Sequence, residues 1–220
     1  MQRISDQIRR RFRRIEGPVV KARILLCWVL IAVALLSACA APDNTSTQTT
    51  GMQSTSTAPS IAVPAPPTSS QVNMGRAAVN RDPCRELGDD VVAAAGFDPA
   101  TRDRIDAIFD TYSFVGCKFE HKEKDQFGLS VTSRYLHVNA TNVTMDEFRD
   151  RERSRATPIE VNGIEAITYT DRPTESCHII LDTSYGALDI SKSVASVFTM
   201  EKPCDRMSEI AEMVSVAMPD

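Results

Sequence analysis

The 220-residue chain has no apolar run long enough to cross a bilayer as a helix. The longest, Ile24 to Ala38, is about 15 residues against the roughly 20 required. There is no Cys-x-x-Cys, so the usual spacing of a structural zinc site is missing. There is no Gly-x-Ser-x-Gly, no phosphate-binding loop and no Gly-x-Gly-x-x-Gly, which removes three common signatures of hydrolase and nucleotide chemistry. Histidine is scarce, and none of His121, His137 and His178 has a second His or a carboxylate at metal-ligand spacing on one face. His178 follows Cys177, but neighbouring strand residues point to opposite faces, so the two do not form a Cys/His nucleophile pair directly. Asp103, Asp106 and Asp110 recur at helical spacing and could hold a cation weakly; a solvated acidic face is the simpler reading. No catalytic residue, no cofactor and no metal ligand is therefore expected, and the chain is not read as an enzyme. Basic charge is also short. Residues 1–38 hold eight Lys or Arg and two acidic residues, so the remainder has 17 basic and 27 acidic side chains, a net charge of about −10. Such a body excludes nucleic acid as the expected partner and a basic patch as the means of docking on anionic lipid.

What is present begins with Leu36-Ser37-Ala38-Cys39, a small-residue tripeptide before a cysteine at the end of the apolar run. With the basic segment before it, this is the bacterial lipobox pattern, and residues 1–38 read as a lipoprotein signal peptide. Cleavage before Cys39 and lipidation of its sulfur are expected, placing the protein on the outer face of the cell membrane. A diacylglyceryl group supplies the more-than-one acyl chain that stable anchoring needs. The competing reading is a retained membrane helix with Cys39 as an ordinary buried residue; the polar, Pro-containing sequence that follows at once argues against it. Arg9-Arg10-Arg11-Phe12 leaves open twin-arginine export or a translation start near Val19 or Val20. Residues 39–80 carry the lipidated cysteine and then a Thr/Ser/Pro stretch that can bury no core, ending in Ala62-Val63-Pro64-Ala65-Pro66-Pro67. They are read as a tether without fixed structure.

Residues 81–220 make one domain of a size that buries a core. Asp82-Pro83 starts a helix, Cys84, Leu87, Val91 and Ala95 give its stripe, and Gly96 ends it. Asp98-Pro99 repeats the start signal before a second stripe, Ile105, Ile108, Phe109 and Tyr112. Strands are expected over 114–121 and 129–138, joined by the turn Asp125–Gly128. Thr144-Met145-Asp146-Glu147 is a capping box opening a charged third helix, with Glu147 and Arg151 as an i,i+4 pair. Asn162-Gly163 marks a hairpin. Cys177, Ile179 and Leu181, then Leu188, Ile190 and Val194, alternate with polar residues, the mark of an antiparallel sheet with one side wet. A last helix, Pro203 to Met218, has the stripe Cys204, Met207, Ile210, Ala211, Val214 and Ala217. The fold class is α+β: a single antiparallel sheet with helices packed on one face. Four cysteines, Cys84, Cys117, Cys177 and Cys204, in an exported domain read as two disulfides. Three pairings exist. Helix-to-strand proximity favours Cys84–Cys117 with Cys177–Cys204; Cys84–Cys204 with Cys117–Cys177 is the rival.

Asp82-Pro83-Cys84 before a short helix, Gly116-Cys117 on the first strand, Cys177 on a central strand and Pro203-Cys204 at the last helix together resemble a family of actinobacterial lipoproteins of unknown function, of the LprB and LprC type. The lipobox and the Thr/Pro tether fit it too. Phe119 stands where Trp is common, Lys202-Pro203 where Asp-Pro precedes the last cysteine, and Met218-Pro219 where Leu-Pro is usual. The resemblance implies an envelope lipoprotein and carries over no catalytic residue. The expected function is a non-catalytic binding module, a monomer held at the membrane by its lipid anchor, contacting another envelope or secretion protein. The alternative is a carrier or sensor holding a small apolar ligand between sheet and helices.

Overall fold

The structure, a computed structural model, describes residues 58–220, which belong to one unit, Gln53–Asp220. The expected signal peptide, Cys39 and the expected tether as far as residue 57 lie outside the described residues. The elements are α1 (Pro83–Glu86), α2 (Asp89–Ala94), β1 (Asp98–Arg104), β2 (Ala107–Ile108), β3 (Ser113–Lys124), β4 (Ser130–Thr141), α3 (Met145–Arg151), β5 (Thr157–Val161), β6 (Ile164–Asp171), β7 (Ser176–Thr183), β8 (Gly186–Val194) and α4 (Met207–Ala217).

All strand pairs are antiparallel, in the order β1-β3-β4-β8-β7-β6-β5, with β2 also on β3. The two ends of that order each carry a proline, Pro99 on β1 and Pro158 on β5, which removes a donor from an exposed edge. Period two sorts the strands as the sequence implies. Leu136, Val138, Ile179, Leu181, Leu188 and Ile190 meet Leu87, Val92, Phe97, Ile210 and Val214 in one core under α1, α2 and α4. The opposite face has a smaller apolar cluster, where Met145 and Phe148 of α3 cover Ile167, Ile180 and Ala187. Beside it that face turns polar, with Tyr135, His137, Asp189 and Ser191. Asn162 (φ 50) and Gly163 (φ 80) make the expected β5–β6 turn. Gly186 (φ 135) closes β7–β8, where a Cβ would lie 2.3 Å from the Thr141 carbonyl oxygen.

Several expectations are corrected. The first helix is two, broken at Leu87-Gly88, because Asp89 starts a new turn and takes bonds from the Ala62 amide (2.8 Å) and Arg102 (2.7 Å). The stripe over 105–112 is not a helix. Ala107 and Ile108 pair with Phe114 and Ser113, so the edge of β3 captures them as strand. The last helix starts at Met207; Arg206 before it is left-handed (φ 60), and Cys204 lies in an exposed turn rather than at the head of the buried stripe. Glu147 does not pair with Arg151 but with Arg76 (2.5 Å), while Arg151 lies over the Phe148 ring. Residues 58–80, read as tether, lie against the body. The Ser69 amide donates to Asp106 (2.7 Å), Ser113 donates to the buried Asn73 (2.6 Å), and Val79 enters the core.

Candidate functional site

One end of the sheet carries the β6–β7 turn, the start of β7 and the end of β8. A cleft of about 610 Å³ opens there, lined by Thr170, Ser176, Val194, Met200, Lys202 and Pro203 among others. One wall is the β6–β7 turn. The other is the segment 195–206 leading into α4. That segment has no regular structure and is held by hydrogen bonds, ion pairs and one disulfide. The Ala195 amide donates to the Ser133 carbonyl (2.8 Å), and Ser196 donates to the Glu175 carboxylate (3.0 Å). Arg134 pairs with Glu201. The Lys192 ammonium, only 1% exposed, donates to Glu201 and to the Asp205 carbonyl. The last tie is covalent, Cys204 to Cys177. Between the ties Val197, Phe198 and Met200 stand in solvent, Met200 at 97% exposure. The tip of the β3–β4 hairpin, with exposed Phe127 and Leu129, projects from the same end.

The polar face of the sheet holds the second grouping. His178 Nδ1 lies 3.0 Å from Asp189 Oδ1, and its Nε2 lies 3.1 Å from Ser176 Oγ. The ring stacks on Tyr169, centroids 4.7 Å apart and planes at 5°, and the Arg155 guanidinium lies over the Tyr169 ring at 5.0 Å. A chain of hydroxyls continues from Ser176 to Thr174 (2.7 Å) and from Thr174 to Asp171 (2.7 Å). Burial, more than the neighbouring charges, pushes the Tyr169 hydroxyl well above its ordinary value. Burial pushes the nearby His137 imidazole down, against the opposing pull of Asp189. Ser176, His178 and Asp189 stand in the order nucleophile, base and orienting acid. Acyl chemistry needs a further part, a pair of N–H donors aimed at the developing oxyanion. Ser176 sits in a strand paired on both sides, opposite Asp171 and Ser193, so the backbone donors around it belong to the ladder. The network is a satisfied polar cluster on a half-buried sheet face.

Cys84 pairs with Cys117 and Cys177 with Cys204, at Cα separations of 5.0 and 5.1 Å, the favoured pairing; the first bridge joins helix to strand, whereas the second joins β7 to the turn before α4. The three carboxylates of the expected acidic helix face are dispersed. Asp103 is on β1, Asp110 lies in a turn, and Asp106 is spent on the Ser69 and Gly116 amides and Arg104. Hydrogen bonds and the adjacent Arg104 hold the Asp106 carboxyl below its usual range although burial pushes it up. Among the described residues no three His, Cys, Asp or Glu are grouped to hold a metal. Lys192 was legible in principle: it stands in phase with Leu188, Ile190 and Val194, on the apolar side of the alternation.

A family model matches residues 34–216, covering the apolar run's end, Cys39, the Thr/Ser/Pro-rich stretch and nearly all of the folded body. The chain belongs to the family described as protein of unknown function (DUF3558). No curated protein and no solved structure matches it.

Proposed function

We propose that this DUF3558 chain is an exported, lipid-anchored envelope lipoprotein of the actinobacterial LprB/LprC type, which docks a partner protein at the end cleft and does no chemistry of its own. Two disulfides fit an oxidising compartment outside the cytosol, and the family match takes in Cys39. The observation that carries the docking reading is the row of exposed apolar residues beside the cleft. Met200 lines the cleft, but Val197 (81% exposed) and Phe198 (44% exposed) lie outside its lining, where a small molecule in the cleft would leave them wet. A protein seating one apolar side chain in the cleft would cover them as well. A second reading, a small apolar ligand, rests on the cleft volume, which falls within the roughly 300–1,000 Å³ of ligand sites. Between the sheet and α1, α2 and α4, core side chains from both layers pack together.

A photo-reactive residue at position 200, with one at Val216 of α4 as control, separates the readings. In membranes of the producing cell, the first should give a discrete adduct with one protein, lost when Val197 is changed to Asp, and the second none. Equal adducts from both sites, or a stoichiometric apolar molecule in the extract of purified protein, would reject the docking reading. Anchoring is tested separately: Cys39→Ala should leave an unprocessed precursor of higher mass, and normal processing would refute it.

A further inference from the structure

The two disulfides sit in opposite surroundings. Cys84 and Cys117 are 1% and 0% exposed, and Cys84 Sγ faces the carbonyl oxygens of Gly116 (3.6 Å) and Asp103 (3.8 Å). Negative ends of dipoles disfavour a thiolate there, and no reagent reaches it without unfolding. Cys204 is exposed, in a turn without regular structure. Its partner Cys177 is buried on β7, and the residue opposite Cys177 in the β7–β8 ladder is Lys192. Directly opposed residues on one face have Cβ atoms about 5 Å apart. The Lys192 ammonium also reaches the carbonyl of Asp205, the residue after Cys204, so the Lys192 side chain runs from the position opposite Cys177 to the neighbour of Cys204. Glu201, the acidic group on the same segment, is shared between Lys192 and Arg134.

We propose that Cys177–Cys204 is a thiol–disulfide exchange site for a dithiol protein or small dithiol, and that its opening releases the segmental wall of the cleft. A thiolate of the dithiol attacks Cys204 Sγ. The Cys177–Cys204 bond breaks, a mixed disulfide forms on Cys204, and Cys177 leaves as a thiolate beside the Lys192 ammonium. The second thiol of the reagent, deprotonated, attacks its own sulfur in the mixed disulfide and expels the Cys204 thiolate. Two electrons pass to the cysteine pair, the dithiol becomes a disulfide, and its two protons end on Cys177 and Cys204. A leaving thiolate stabilised by a neighbouring cation departs faster. The covalent tie of segment 195–206 to the sheet is then gone. The exchange stands whether or not the cleft docks a protein.

The full chain is treated with limiting dithiothreitol at pH 7, alkylated and mapped. Cys177 and Cys204 should be labelled at least tenfold faster than Cys84 and Cys117, and amide exchange in 195–206 should rise when they open. Equal rates, or earlier labelling of Cys84 and Cys117, would overturn the proposal. The role of Lys192 is read in Cys204→Ser, which leaves the Cys177 thiol free. Its alkylation rate should have a midpoint below the ordinary thiol value of about 8.5, and Lys192→Met should raise that midpoint whereas Lys192→Arg should not. A midpoint at or above about 8.5 in Cys204→Ser refutes the cation's part; each variant is first shown to melt cooperatively, and the Lys192 variants are compared with Cys204→Ser itself.

Discussion

At the scale of single residues, the polar face makes the sharpest statements. Removing the His178 ring would strip Asp189, 8% exposed, of its partner and unstack Tyr169. A buried carboxylate left unpaired costs more than the pair contributes, so His178→Ala should lose about 2–4 kcal/mol in urea unfolding. Ser176→Ala should lose no more than about 1 kcal/mol and leave any cellular function intact; loss of function in a folded Ser176→Ala protein would revive the acyl-transfer reading. His137 adds a pH dependence. Burial lowers its folded value below the ordinary 6.5, so the unfolded chain takes up the proton first as pH falls. The stability it contributes is whole above 6.5 and drains below it, and His137→Gln should flatten the urea midpoint between pH 7.5 and 5.5. None of these contacts was visible beforehand. Period two puts His178 on the polar face, but which of Ser176, Ser191 or Asp189 meets it depends on the β7–β8 register.

At the scale of elements, the strap 58–80 departs most from its composition. Its Pro and Thr content reads as an extended tether, yet Asn73, Val79 and Arg76 pin it to β3, the core and α3. Composition registers the lack of apolar residues. It does not register that one Val, one Asn and several free backbone amides suffice when the body supplies Ser113, Asp106 and Glu147 as partners. Limited proteolysis should therefore keep Ser69 to Arg81 within the resistant fragment; a start near Asp82 would show the strap loose. The Arg76 guanidinium, with the Thr144 cap, draws the Glu147 carboxyl down to about 2. That contribution is complete above pH 4.5 and is lost as pH falls toward 2. Glu147 is 43% exposed, so solvent screens the pair, and Arg76→Ala should cost no more than about 1 kcal/mol. The capping box and the Asn162-Gly163 hairpin were fully legible, because both are local. The helix expected over 105–112 was not, because its apolar spacing suited two structures and the open edge of β3 decided between them.

For the whole molecule, the α+β class and the apolar sides of β7 and β8 followed from alternation, whereas the strand order did not. The β4–β8 pairing joins residues 46 to 60 positions apart, Thr141↔Ala187 to Arg134↔Val194, and no local signal announces it. Each disulfide closes a loop, of 33 and 27 residues, worth about 3.5 kcal/mol in the chain-entropy picture. Cys84→Ser with Cys117→Ser should lower the melting temperature by several degrees or more, since it also opens the core. The strand order has a further consequence. β1 to β4 lie on one side of the β4–β8 ladder and β5 to β8 on the other. The first disulfide lies wholly in the former half and the second in the latter, so no covalent link crosses the ladder within the sheet. Stretched from its two ends in an optical trap, the domain should part along β4–β8 and give two extensions, each limited by a closed covalent loop. Reducing the solution should lengthen both.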